Sequence, residues 1–254
     1  MEGAILWEGE TAFGYYQVVD TLYDGRPARV LYSGDRQAAQ SGVAQDDEPD
    51  LLFDYNQRMF ELANGLVPNE LLLIGGAVGT LATALLRTFP KLRVDMVEPD
   101  EALVGLGHRY FDLPASDRLR VFHTDGRTFL REHAGRYDMV VVDAFVHAVI
   151  PTDLQTVEAF RAYAAHLRPE GVLAMNIISG YHGRSARVLA QLYAAALHGF
   201  DTLDVFLAGH GYSLWLPQNF VLTAQKGSGR PLQDYVRYEA VKPPEVHPGL
   251  ALRD

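Results

Sequence analysis

The chain has 254 residues, a formal net charge of −10 and no cysteine, with 48% of its residues hydrophobic and 21% charged. That composition belongs to a globular protein long enough to bury a real core, and it excludes disulfides, thiolate nucleophiles and cysteine zinc sites. The acidic balance argues against a nucleic-acid partner, which needs a basic face, and suits a cationic substrate.

The first residues, Met1-Glu2-Gly3-Ala4, lack a basic segment followed by an apolar core, so no signal peptide is expected. No apolar run approaches the roughly 20 residues of a membrane helix. The expected location is the cytoplasm. Residues 1 to 45 read as β: Tyr15 to Leu22 and Ala28 to Tyr32 are extended runs around an Asp24-Gly25 turn, and Ser33-Gly34-Asp35 makes a second turn before Gln37 to Gln40. So small an antiparallel meander must pack on something else. The acids of Asp46 to Asp50 then precede a helix expected from Leu51 to Leu62, stopping near Asn64-Gly65. The expected division is a β-rich region over 1–48 and a Rossmann-like catalytic domain over 49–254.

From Glu70 strand-like and helix-like segments alternate. Leu71 to Ile74 runs into Gly75-Gly76-Ala77-Val78-Gly79-Thr80 and a helix to Phe89. Leu92 to Val97 ends on Glu98, before a helix from Asp100 to Phe111. Leu119 to Phe122 is followed by Asp125-Gly126 and a short helix from Arg127 to His133, and Met139 to Val142 ends on Asp143. A helix capped by Thr152 or Asp153 runs to Leu167, Val172 to Ile178 is a fifth strand, and Gly183 to Leu197 is helical. Leu203 to Leu207 and Phe220 to Ala224 read as a closing antiparallel hairpin, before an irregular, proline-rich tail. Alternating β and α implies a parallel sheet covered on both faces. Ligands of such sheets bind at the carboxyl ends of the strands. Glycines and acids gathered there describe a site for a nucleoside with a cationic or amine-bearing tail.

Gly75, Gly76 and Gly79 let the backbone turn tightly beside a ligand. Ala77 and Thr80 break the dinucleotide G-x-G-x-x-G pattern, and no Lys-Ser/Thr follows for a Walker loop. Glu98, at the end of the next strand, can accept both hydroxyls of a ribose, or simply serve the start of the following helix. Asp125 can accept from an adenine amino group, or cap its own helix before Arg127; the two roles are compatible. Asp143, behind Val140, Val141 and Val142, is either an ordinary strand-end acid or a desolvated carboxyl suited to take a proton from an attacking amine. Tyr55 can face the same cleft. The nine histidines lack metal-ligand spacing and no G-x-S-x-G elbow is present, so neither a metal site nor a hydrolase triad is expected.

These residues resemble the spermidine synthase (polyamine aminopropyltransferase) family over about residues 10 to 225, in its bacterial spermidine-synthase-like branch. The likeness rests on Tyr16-Gln17, Ser33-Gly34-Asp35-Arg36-Gln37, Phe53-Asp54-Tyr55-Asn56-Gln57, Val97-Glu98-Pro99-Asp100, Thr124-Asp125-Gly126, the run from Tyr137 to Phe145, and Leu167 to Leu173. The segments from Asp143 to Pro151 and Leu154-Gln155-Thr156 are similar as well. The resemblance implies the class I S-adenosylmethionine-dependent methyltransferase fold, with a seven-stranded, mostly parallel sheet. It also implies a homodimer built through the β-rich N-terminus.

By resemblance Gln17, Gln37, Glu98 and Asp125, with Gly75, Gly76, Gly79 and Gly126, hold decarboxylated S-adenosylmethionine or its thioether product. Asp143 then helps deprotonate an amine acceptor, and Tyr55 lines the acceptor channel. The implied activity is aminopropyl transfer. The alternatives are methyl transfer from S-adenosylmethionine to a small molecule, or a nucleoside-binding homologue that has lost catalysis. The pattern departs from the family at the amine site. Val78 stands where the glycine turn carries an aspartate, Val146 beside His147 where a second aspartate follows the fourth strand, and Asn56 and Gln57 where histidine and glutamate follow the tyrosine. Charge-assisted hydrogen bonds contribute about 1.5–3 kcal/mol each, so losing several weakens polyamine binding by orders of magnitude.

Overall fold

The computed structural model describes residues 3–34, 36, 38–46, 51–146, 149–209, 214–227, 240–242, 244, 246 and 250–254. Strands β1 (Ala4–Thr11), β2 (Gly14–Tyr23), β3 (Arg26–Ser33) and β4 (Ala38–Ala44) form an antiparallel sheet in that order. Asp24 and Gly25, both at positive φ, close the turn between β2 and β3. The face carrying Val18 and Leu31 packs on Val78, Leu103, Leu106 and Phe111. The meander is therefore completed by the rest of the chain.

The second sheet has seven strands: β5 (Glu70–Ile74), β6 (Arg93–Val97), β7 (Leu119–Phe122), β8 (Tyr137–Val142), β9 (Leu167–Ser179), β10 (Thr202–Leu207) and β11 (Gln218–Gln225). Their order is β10-β11-β9-β8-β5-β6-β7; the five from β9 to β7 run parallel, and β11 is antiparallel to both neighbours. Helices α1 (Asp54–Leu66) and α2 (Thr80–Thr88) cover the face that carries Leu71, Leu73, Met139 and Val141. Helices α4 (Gly126–Glu132), α5 (Val157–His166) and α6 (Arg187–Ala196) cover the opposite face, with Leu72, Ile74, Val140 and Val142. Helix α3 (Glu101–Tyr110) joins the sheets, its Leu103 and Leu106 packing with Val18 and Leu31 of the meander. Near-continuous apolar strands are what a sheet buried on both faces demands.

Four boundaries differ from the sequence expectation, one of them at the helix expected from Gly183, where Gly183–Ala186 form a 3-10 turn and α6 starts at Arg187. Helix α1 begins at Asp54, and it runs through Gly65 to Leu66 because Val67, at φ 50°, closes the last turn onto the Ala63 carbonyl; the acids at 47–50 lie outside the described residues. Thr156, rather than Thr152 or Asp153, caps α5 by accepting from the Ala159 amide, while Thr152–Leu154 form a separate 3-10 turn. Strand β9 starts at Leu167, so Arg168 and Pro169 extend the strand where a loop was expected. In the tail, Val241 pairs with Val205 of the edge strand, while residues 228–239 lie outside the described residues. Among the described residues no helix is long and apolar enough to cross a membrane.

Candidate active site

The carboxyl ends of β6, β5 and β8 meet at the glycine turn. Gly75 and Gly79 take φ +85° and +76°, where only glycine sits without strain. A Cβ on Gly75 would stand 2.5 Å from the Asp143 carbonyl oxygen, and one on Gly76 2.4 Å from the Met96 side chain. These glycines therefore let the turn lie against the backbone of Asp143 on one side and β6 on the other. The Glu98 carboxylate reaches back to the turn, accepting from the Ala77 amide at 2.7 Å and from the Asp100 amide at 3.0 Å. Burial raises the Glu98 pKa, and those two amides and His123 limit the rise.

Asp143 is the most perturbed acid on this edge. Burial pushes its pKa from 3.8 to about 7, against hydrogen bonds from Asn176 and Tyr55 that favour the charged form. Asn176 Nδ2 donates to Asp143 Oδ1 at 2.8 Å, and Asn219 Nδ2 donates to Asn176 Oδ1 at 2.8 Å. The Asn219 bond fixes which end of the Asn176 amide faces the carboxylate. Tyr55 opens α1 beneath Phe53, whose ring stacks on it at 5.9 Å. Its hydroxyl is held far above the usual phenol pKa by burial and by the Asp143 charge, and Asn56 donates to it. A chain of neutral groups, Asn56–Tyr55 on one side and Asn219–Asn176 on the other, thus converges on one carboxyl.

Asp125 lies at the end of β7, the strand next to β6, as the N-cap of α4, accepting from the Thr128 amide at 2.7 Å. Slight burial raises its pKa, but the Thr128 bonds outweigh that and leave it below the usual carboxylate range. Gly126 admits this helix to the sheet: a Cβ there would meet Ile74 Cγ2 at 2.5 Å. Gln17 points elsewhere. It is buried, donates to Glu8 at 2.9 Å beside Tyr15, and leaves Oε1 without a hydrogen-bond partner among the described residues. Strand alternation gives Tyr16, not Gln17, the face towards α3; its pKa is raised by burial and by Asp100 and Glu98. Gln37 and His147 lie outside the described residues. Val78 is fully buried in the core between the meander and α3, and Val146 is 53% exposed.

Asn176 and Asn219 were not singled out in the sequence, and Tyr16 entered only as part of the Tyr16-Gln17 pair, with no site role. The signal for Asn176 is a lone amide inside the apolar run of β9; Asn219 becomes visible only once β11 is placed beside β9. A cavity of about 420 Å³ lies apart from this edge, between β3, β4 and α2, with Arg29, Gln45, Thr83 and Arg87 among its lining residues; Glu98, Asp125 and Asp143 are not part of it. No group of three or more histidines, aspartates or glutamates suited to a metal ion occurs among the described residues.

Residues 53–179 match the family model described as "Spermine/spermidine synthase domain". The chain belongs to the spermine/spermidine synthase family. It is 29% identical over 204 residues to a probable polyamine aminopropyl transferase of Bifidobacterium longum (strain NCC 2705), covering 80% of this chain and 44% of the relative. Against putrescine N-methyltransferase 1 of Nicotiana tabacum it is 32% identical over 129 residues, 48% of this chain and 34% of the relative. The chain thus spans less than half the length of either relative. The solved structure of a probable spermidine synthase from Corynebacterium glutamicum ATCC 13032 superposes with a TM-score of 0.76 at 20% identity, over 87% of this chain and 80% of that one. That likeness speaks for the fold, and it extends over both sheets.

Proposed function

We propose that this chain is a transferase that moves an aminopropyl group from decarboxylated S-adenosylmethionine to an amine. The observation that carries the reading is Asp143: a half-buried, desolvated carboxyl with a pKa near 7, pinned by Tyr55 and Asn176 directly against the glycine turn. A base that is half ionised near neutrality is matched to taking a proton from an ammonium.

In this reading the glycine turn follows the nucleoside's backbone side, Glu98 exchanges its hold on the Ala77 amide for the ribose hydroxyls, and Asp125 accepts from the adenine amino group beside Gly126. Gln37 joins the nucleoside set by the family likeness, whereas Gln17 is turned to Glu8 on the other face of β2 and stays outside it. Asp143 takes a proton from the acceptor ammonium. The freed amine lone pair attacks the carbon next to the sulfonium; the new C–N bond forms as the C–S bond breaks. The electron pair stays on sulfur and leaves methylthioadenosine. Tyr55 and Asn176 hold the carboxyl in place throughout. Purified protein with the decarboxylated donor and a panel of primary amines should release methylthioadenosine; no release with any of them refutes aminopropyl transfer.

One observation favours methyl transfer from intact S-adenosylmethionine as a second reading. Val78 lies in the core, so no carboxylate of the turn meets the ammonium of the donor's tail, whereas an intact methionine tail brings its own carboxylate. The N-methyltransferase relative agrees with it. Calorimetry with both donors separates the two, tighter binding of the decarboxylated one favouring aminopropyl transfer. The protein is further proposed to act as a cytoplasmic homodimer joined through the meander, which exposes Ile5, Leu6, Phe13 and Leu22.

A further inference from the structure

The charge count around Asp143 limits what its amine can be. Among the described residues the groups that face the carboxyl are neutral: Tyr55 at the start of α1, Asn176 on β9, and the backbone of Gly75 in the glycine turn. Behind them stand Asn56 and Asn219, also neutral. Among the described residues no neighbouring charge shifts the Asp143 pKa; burial and two hydrogen bonds account for it. The next carboxyls along the edge lie on the far side of the glycine turn: Glu98 accepts from the amides of Ala77 and Asp100, and Asp100 accepts from Ala102 through Oδ1 while its buried Oδ2 has no partner among the described residues. Gln57 is turned away, donating to the Leu51 carbonyl at 2.7 Å. Beside Tyr55, Asn56 Oδ1 is buried without a hydrogen-bond partner among the described residues and can accept from an incoming N–H.

Beyond Asp143 the described residues as far as Ile150 are apolar; His147 and Ala148 lie outside them. Ala144 and Phe145 pack against the core, and Val146 and Val149 pair with one another while standing 53% and 61% exposed. One carboxyl neutralises one ammonium; a carbon chain carried past it gains apolar contact with the valines, which a second ammonium, staying hydrated and finding no counter-charge among the described residues there, forfeits.

We propose that the acceptor is a primary monoamine with an apolar body, its single nitrogen held by Asp143 and Asn56 and its carbon chain lying towards Val146 and Val149. The inference rests on the transferase reading for what happens to the amine; the binding preference can be read without turnover. The ammonium gives one proton to the Asp143 carboxylate, the neutral amine forms the C–N bond, and the product leaves as a secondary ammonium.

The test uses n-pentylamine and 1,5-diaminopentane, which differ by one terminal nitrogen. Both are titrated by calorimetry into the full chain loaded with methylthioadenosine, and both are assayed as acceptors with the decarboxylated donor. The monoamine should bind at least tenfold more tightly and show a kcat/KM at least tenfold higher. Val146→Asp, at an exposed position outside the base network, should raise diamine binding relative to monoamine at least fivefold. Equal or tighter binding of the diamine, or binding of neither, overturns the inference. Preferential monoamine binding with no methylthioadenosine released by any acceptor leaves the inference standing and removes aminopropyl transfer.

Discussion

Replacing Asp143 with asparagine should abolish turnover and, at alkaline pH, make the folded chain more stable. Raising a carboxyl from 3.8 to about 7 corresponds to about 4 kcal/mol against the charged native state at pH 8. The folded value lies above the unfolded one, so this penalty is complete above about pH 7 and is relieved as the pH falls towards 4. At pH 5 about 2 kcal/mol of it remains. Asparagine keeps an oxygen for the Asn176 and Tyr55 donors and carries no charge, so it escapes the penalty. Urea unfolding of both proteins at pH 8 and pH 5 reads the effect. The stability advantage of the variant should shrink by about 2 kcal/mol between the two pH values, a difference that cancels any pH-independent effect of the amide. An advantage that does not change with pH, or a variant relatively weaker at pH 8, would refute the desolvated-base account.

Tyr55→Phe removes a hydrogen bond that lowers the Asp143 pKa, so the acid limb of the pH–rate profile should move to higher pH, with kcat/KM falling most below neutrality; an unmoved limb would mean that Tyr55 does not act on the base. Glu98→Gln should weaken methylthioadenosine binding by calorimetry about tenfold or more, since charge-assisted bonds contribute about 1.5–3 kcal/mol; unchanged affinity would remove Glu98 from the ribose site. Gly75→Ala drives a Cβ to 2.5 Å from the Asp143 carbonyl at a φ of +85°, and should cost about 1–3 kcal/mol in urea unfolding together with nucleoside binding. Asp95→Asn breaks the bonds to Arg120 at 2.6 Å and Tyr137 at 2.7 Å; it should lower stability by about 2 kcal/mol with kcat unchanged, because that cluster lies within the sheet, away from its ligand edge.

The architecture was legible because each parallel strand is an apolar run that stops at a glycine or an acid. Such runs can only be buried on both faces, and the stops mark the loop edge. Glu98 and Asp143 follow β6 and β8 directly for that reason. What the linear chain hides is direction across space. Val78 reads as part of the loop, yet its side chain enters the core because α3 and the meander close over it. Gln17 and Tyr16 are neighbours in sequence, and alternation sends them to opposite faces, Tyr16 alone towards Glu98. Asn176 and Asn219 are 43 residues apart and meet only through the antiparallel β9–β11 pairing. Helix α1 overran Gly65 because burial of Leu62 and Ala63 holds the last turn in place.

A crystal structure with methylthioadenosine bound tests the central claim most directly. The account predicts both ribose hydroxyls on the Glu98 carboxylate, the adenine beside Asp125 and Gly126, and the sulfur opening towards Asp143. A nucleoside seated in the cavity beside Arg29 and Arg87, or with its sulfur directed away from Asp143, would contradict it.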